Sequence, residues 1–411
     1  MFDFYPQVSV GITNDRELEV VFNGKFAHED IIFDGIARFS CFDGYVSYDG
    51  YLFDNLVLKP LSTSSTFTIE RVTIGKEFHW ERTEQQSFNG TLEILVDNGR
   101  LHAINILPIE DYLLSVISSE MKATASLELL KAHAVISRSW VLKQIILRGE
   151  TGYPPPSEIK IEHGYIKWYD SNNHSLFDVC ADDHCQRYQG ITRIIRDEVI
   201  KAVEETKGEV LLYDGDVCDA RFSKCCGGVT EEFQYCWENE YKPYLSSVKD
   251  EFCNVNDQSV LSQVLNDYDL ETFDFHDWEI SYTVEEMTEI VNSNLSEEIG
   301  VVTDIVVLER GKSGRVWLLK ICGSKSEITV GKELEIRRIL SRSHLKSSWF
   351  DVVKEKDCTG QTTGFRFYGH GWGHGVGLCQ IGAAMMGEKG YNYKDILKHY
   401  YKNAEITKIY K

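Results

Sequence analysis

The chain has 411 residues, room for two to three domain-sized units or one elaborated domain with insertions. With 43% hydrophobic and 26% charged residues, 7 Pro and 31 Gly, it falls outside the disordered and collagen-like classes. A net charge of −21 argues against nucleic acid as a partner, because phosphate-backbone binding needs clustered Lys and Arg. The 11 Cys are far too sparse for a disulfide scaffold, and their odd number leaves at least one thiol unpaired within the chain, so some could bind metal. No run of about 18 apolar residues is present, so no transmembrane segment is expected. The first ten residues have neither a basic n-region nor a long apolar h-region, so no signal peptide is visible.

In chain order, the first hundred residues read as strands. Stretches 7–12, 18–21, 45–48 and 51–58 alternate or cluster β-formers between Gly, Asn and Asp turns. The clearest hairpin joins 91–96 to 100–106 around Asp97-Asn98-Gly99. The period then changes. Pro108, Glu110 and Asp111 suit a helix's first turn, and Leu113, Leu114, Val116, Ile117 and Met121 recur at helical spacing, which puts Glu120 in the last turn. Ser126 is placed to cap a second helix running to Gly149, rich in small residues. Residues 165–187 are polar and turn-like, 198–207 read as a helix, and 210–213 as a strand. The more acidic stretch 254–300, helical over 283–295, reads as a small inserted lobe. A second hairpin, 301–308 with 316–321, turns at Gly311-Lys312-Ser313-Gly314. That turn is not a phosphate loop, since the required earlier glycine is Val306.

The most informative tract is His370-Gly371-Trp372-Gly373-His374-Gly375-Val376-Gly377-Leu378-Cys379-Gln380-Ile381-Gly382-Ala383. Alternating Gly lets backbone approach a ligand closely, and two His and a Gln supply hydrogen-bonding groups. A second cluster, His174, Cys180, His184 and Cys185, packs two imidazoles and two thiols into twelve residues, a donor set suited to tetrahedral zinc. The alternative is a Cys180–Cys185 disulfide, with Cys218, Cys225, Cys226, Cys236 and Cys253 pairing nearby. Lys131 and Arg138, seven apart, share one helical face.

The tract 370–383, continued by Met385-Met386-Gly387, Gly390-Tyr391, Ile396-Leu397 and His399-Tyr400-Tyr401, closely resembles the C-terminal signature of the SpoIID/LytB family of peptidoglycan lytic transglycosylases. Leu107-Pro108-Ile109-Glu110-Asp111-Tyr112-Leu113, Val116-Ile117-Ser118-Ser119-Glu120-Met121, Leu129-Leu130-Lys131-Ala132-His133-Ala134-Val135 and Ser137-Arg138-Ser139 are similar to the family's block carrying the catalytic acid. Tyr188-Gln189-Gly190, Cys226-Gly227-Gly228, Pro243-Tyr244-Leu245 and Ser313-Gly314-Arg315-Val316 fit intermediate blocks, in the family's order over about residues 7–411. The chain departs from the pattern at Lys224-Cys225-Cys226, where a Ser pair is usual, and at Cys379, where Ser or Ala is common.

The resemblance implies a β-rich α+β SpoIID-like fold with a few helices packed beside sheets around a glycan-binding groove. The expected organisation is a β-rich part over 1–106, catalytic helices and the Cys/His-rich loop over 107–253, the inserted lobe over 254–300, and 301–411 completing the domain. The implied substrate is the N-acetylmuramic acid (MurNAc)–N-acetylglucosamine (GlcNAc) strand of peptidoglycan, cleaved by Glu120 as single general acid and base to leave 1,6-anhydro-MurNAc ends. His370, His374 and Gln380 are expected to line the sugar groove. Lys131 and Arg138 form either a cationic wall toward substrate carboxylates or two solvated basic residues. Some family members carry zinc, which makes His174, Cys180, His184 and Cys185 a plausible structural zinc set. A cell-envelope location follows, with a leader absent from this sequence. The rival reading is a non-catalytic wall-binding protein that enhances a separate amidase.

Overall fold

Asn98 and Gly99 take φ values of 48° and 71°, the left-handed pair that a two-residue hairpin turn requires. In the computed structural model they join Thr91–Asp97 to Arg100–Pro108, with Arg100 opposite Asp97 and Ile106 opposite Thr91. The structure describes residues 6–75, 81–121, 125–151, 157–168, 174–182, 184–192, 196–255, 257–264 and 275–410. The architecture is the expected β-rich α+β class, with several sheets and eight α-helices among the described residues. No described helix is long and apolar enough to cross a membrane.

The chain divides into two compact units. The first comprises Met1–Pro154, Ser171–Leu211 and Ile406–Lys411. Its sheet has 11 strands among the described residues, and Gln7–Asp15 is paired along both edges. One edge of Gln7–Asp15 pairs antiparallel with Arg100–Pro108; the other takes the two-residue strand Val179–Cys180 in parallel. That second pairing is possible because Gly11 lacks a Cβ, which would collide with the Phe177 ring.

Two helices follow this sheet. Ile109–Glu120 buries Ile109, Tyr112, Leu113, Val116 and Ile117 at the predicted spacing. Leu127–Thr151 begins as expected, with Ser126 Oγ accepting the Leu129 N–H at 3.4 Å. Its middle is buried all round: Leu130, His133, Ala134, Ser137, Arg138 and Ser139 are all fully inaccessible. The small residues are what let neighbours close in. Ser139 Oγ bonds Val135 O one turn back and accepts the Leu211 N–H.

The second unit, Pro155–Asp170 with Leu212–Glu405, holds a five-stranded sheet and a three-stranded sheet. The predicted hairpin Val302–Arg310 with Val316–Gly323 is present, and the same sheet takes Glu158–Ile161 and Gly164–Lys167, the second of which runs into the stretch 165–187 expected to be turn-like. The part of 254–300 expected to form a separate lobe is integral to this unit's core. Thr283 and Glu286 form a capping box at the start of Val284–Asn294. Met287, Val291 and Leu295, four apart, then pack with Ile305, Leu319, Ile336 and Phe365. Residues 265–274 of that stretch lie outside the described residues.

Candidate active site

Glu120 closes the Ile109–Glu120 helix and is partly buried. Its Oε1 accepts the backbone N–H of Arg187 at 2.8 Å. The segment that brings this amide is tied along the same helix: Gln189 N–H donates to Ser115 Oγ, Tyr112 donates to Gln186 Oε1, and the Tyr188 ring stacks on Tyr112 at 5.3 Å. Gly190 turns the chain away at φ 58°, where a Cβ would overlap Ser87 O and the Phe88 ring. One oxygen of the carboxyl is thus oriented by a backbone amide.

Immediately before that segment lies the Cys/His cluster. One donor atom from each of His174, Cys180, His184 and Cys185 lies within 4.8 Å of the other three. Cys185 Sγ is 3.5 Å from His174 Nε2 and 3.9 Å from His184 Nδ1. The backbone brings the four together from both sides: Cys180 is held by the parallel pairing to Gly11, and the Tyr188 N–H returns to Ala181 O. Nearby Cys185, then the His174 and His184 rings, holds the Cys180 thiol well below its ordinary range despite burial. Both sulfurs are free thiols.

The two basic residues expected at the substrate are otherwise engaged. Arg138 has a fully inaccessible side chain, so it cannot reach a sugar. Its Nε and Nη2 fork onto both Glu110 oxygens at 3.0 and 2.7 Å, and Nη1 donates to Glu209 O at 3.0 Å. Glu110 also accepts from Tyr410 and from the Gly208 N–H, so the pair gathers distant parts of the first unit. Lys131 is ion-paired to Glu128 at 3.1 Å and Glu205 at 2.6 Å, with 12% of its side chain exposed.

In the second unit, Gly371, Gly373, Gly375 and Gly377 all have φ between 73° and 88°. Much of their purpose is internal packing. A Cβ at Gly375 would strike the Arg315 guanidinium, and one at Gly377 the Arg221 carbonyl. Buried Arg315 donates to Gly373 O and Cys226 O, stitching the loop to the Cys226-Gly227-Gly228 block. His374 is largely enclosed: its Nδ1 accepts the Val376 N–H at 3.0 Å and its ring packs edge-on to Trp237. Gln380 is 2% exposed at the start of Gln380–Glu388. Of the three expected groove residues Gln380 is buried, whereas His374 and His370 are each partly exposed, His370 over 41% of its side chain. Its Nδ1 is 2.6 Å from Asp277 Oδ1, while His276 Nδ1 is 2.8 Å from Asp277 Oδ2. Burial works against the Asp277 charge, but the two rings outweigh it and hold the carboxyl below its ordinary range. Sequence reading missed Asp277; its one available signal is the adjacent His276.

A family model described as stage II sporulation protein matches residues 97–213, and one described as domain of unknown function (DUF8618) matches 231–377. The stage II sporulation protein D of Bacillus amyloliquefaciens is 25% identical over 74% of this chain and 76% of its own length. Together these matches support a SpoIID/LytB family assignment. An uncharacterized protein of Brachyspira hyodysenteriae is 29% identical over 78% of this chain and 72% of its own. The amidase enhancer of Bacillus subtilis is 27% identical over 71% of this chain but only 40% of its own length. A cell-wall role fits these names.

The Gly-His tract at 370–377 also sets a pH dependence. Burial first, then the Arg221, Arg315 and Arg337 cations, hold His374 well below the usual imidazole range. A histidine depressed on folding binds fewer protons native than unfolded, so its stabilisation is complete above about pH 6.5 and is lost as pH falls below that value. His374→Gln should therefore flatten the decline in thermal midpoint between about pH 7 and about pH 5 relative to the parent chain. Parallel profiles for the two proteins would contradict the buried, neutral imidazole.

Proposed function

We propose that this SpoIID/LytB protein is a lytic transglycosylase that cleaves the MurNAc–GlcNAc glycan of peptidoglycan in the cell envelope or outside the cell, with Glu120 as its single acid and base. The observation that carries the reading is the Glu120 carboxyl at a helix end, oriented by the Arg187 amide within the family-matched segment 97–213. Hydrolysis of a glycosidic bond generally needs two carboxylates, one to protonate the leaving oxygen and one to serve as nucleophile or activate water. A transglycosylase needs one. Glu120 donates its proton to the glycosidic oxygen as the C1–O bond of MurNAc breaks. The MurNAc C6 oxygen bonds C1, and its proton passes to the Glu120 carboxylate, restoring the acid and closing the 1,6-anhydro ring without water. His370, exposed and fixed by Asp277, is the sugar-contacting residue we assign in the second unit.

His174, Cys180, His184 and Cys185 fit a zinc ion: two imidazoles and two thiols within 4.8 Å of one another match its tetrahedral preference. Four protein donors would close the coordination sphere, which would make the ion structural. Bound there, it would anchor the chain that continues, two residues after Cys185, into the Arg187 amide on Glu120. Cys180→Ser should accordingly remove one equivalent of zinc and lower both thermal midpoint and cleavage rate, since metal binding is coupled to folding. Unchanged zinc content, or a Cys180–Cys185 disulfide in the unreduced mass, would contradict the site.

The amidase enhancer relative favours a second reading, a wall-binding protein that stimulates an amidase. Purified glycan strands incubated with the protein, alone and together with a cell-wall amidase, separate the two. New glycan ends in the absence of amidase support the transglycosylase; faster stem-peptide release with no new glycan ends supports the enhancer.

A further inference from the structure

A group of buried sulfurs in the second unit is not used by the reading above. Cys226, Asp250, Cys253 and Cys379 come from three separate stretches of chain, yet one donor atom from each lies within 4.8 Å of the others. Cys226 Sγ is 3.5 Å from Cys253 Sγ and 3.3 Å from Asp250 Oδ2. None of the four residues is more than 3% exposed. Cys226 and Cys379 are 153 residues apart.

The surrounding groups hold these donors in place. Cys379 Sγ accepts N–H groups from Cys226 at 3.3 Å and Gly382 at 3.4 Å, which fixes the position of the sulfur. Asp250 is fixed through both oxygens: Oδ1 accepts the Phe252 N–H at 2.9 Å, and Oδ2 accepts the Tyr400 hydroxyl at 2.9 Å. Gly382 is required there, because a Cβ would overlap Asp250 Oδ2 and the Tyr400 hydroxyl. Burying a carboxylate beside sulfurs is costly unless a cation compensates it. A disulfide does not describe the geometry, since the bond needs about 2.05 Å between sulfurs. A tetrahedral ion with metal–sulfur bonds of about 2.3 Å places its sulfurs about 3.8 Å apart, close to the spacing found.

We propose that Cys226, Asp250, Cys253 and Cys379 form a second metal site, holding one structural zinc ion by three thiolates and a carboxylate. Each thiol releases its proton to solvent as the ion binds. The site braces the Gly-His loop at both ends. Cys225, next to Cys226, exchanges backbone hydrogen bonds with Trp372 where the loop begins, and Cys379 follows Gly377 where it ends.

The test is the zinc content of the full chain, purified without chelator or added metal. Cys253→Ser is expected to lower it by one equivalent, and Cys180→Ser, in the other cluster, to leave that equivalent in place. Zinc X-ray absorption of the unaltered chain needs no variant and should return more than two sulfurs per ion. Zinc that Cys253→Ser leaves unchanged in a folded variant, two or fewer sulfurs per ion, or a Cys226–Cys253 disulfide in the unreduced mass would each overturn the second site. Because each cluster has its own variant, loss of zinc from the first leaves this result readable.

Discussion

Glu120→Gln is expected to lower glycan cleavage by about 10²- to 10⁴-fold, the usual contribution of a general acid and base. Gln retains an oxygen that can accept the Arg187 N–H, which sits 2.8 Å from Glu120 Oε1, so local backbone geometry should persist. What it lacks is a proton it can give and take back. Thermal midpoint and binding to insoluble peptidoglycan should therefore match the parent protein, and the loss should fall on turnover. Cleavage within about threefold of the parent would be too small for an acid–base role and would remove Glu120 from the chemistry.

Arg138→Ala carries the largest expected effect on stability. The fork onto Glu110 is buried, with the Arg side chain fully inaccessible and 15% of the Glu side chain exposed. Removing the guanidinium leaves that carboxylate without its paired cation and Glu209 O without the donor it has at 3.0 Å. Breaking such a pair typically costs about 3–5 kcal/mol. Arg138→Lys should recover only part of this, because a single ammonium cannot reproduce the planar fork. Denaturant unfolding measures the loss; a change under about 1 kcal/mol would show that the surroundings relax around the vacancy.

The contrast between these residues shows how far the sequence could be read. Local signals were sufficient for Asn98-Gly99, for Ser126 as a cap, and for the apolar spacing that puts Glu120 at a helix end. Helical spacing also put Lys131 and Arg138 on one face, but not the distant acids they meet: Glu110 lies 28 residues before Arg138, and Glu205 reaches Lys131 from another helix. The Gly-His tract was legible as unusual, yet its glycines answer largely to Arg315 and Arg221, contacts made only by the fold. Four donors within twelve residues announced the first metal cluster. The second needed Cys226, the Asp250 and Cys253 stretch and Cys379 to be brought together, and no spacing rule does that.

The central claim is that one carboxyl cleaves the strand without water, and digestion of purified glycan in oxygen-18 water tests it most directly. The account predicts muropeptides with 1,6-anhydro-MurNAc ends that carry no label, and none of these products with Glu120→Gln. Reducing MurNAc ends bearing oxygen-18 would mean hydrolysis through a second carboxylate or an activated water, and would contradict it.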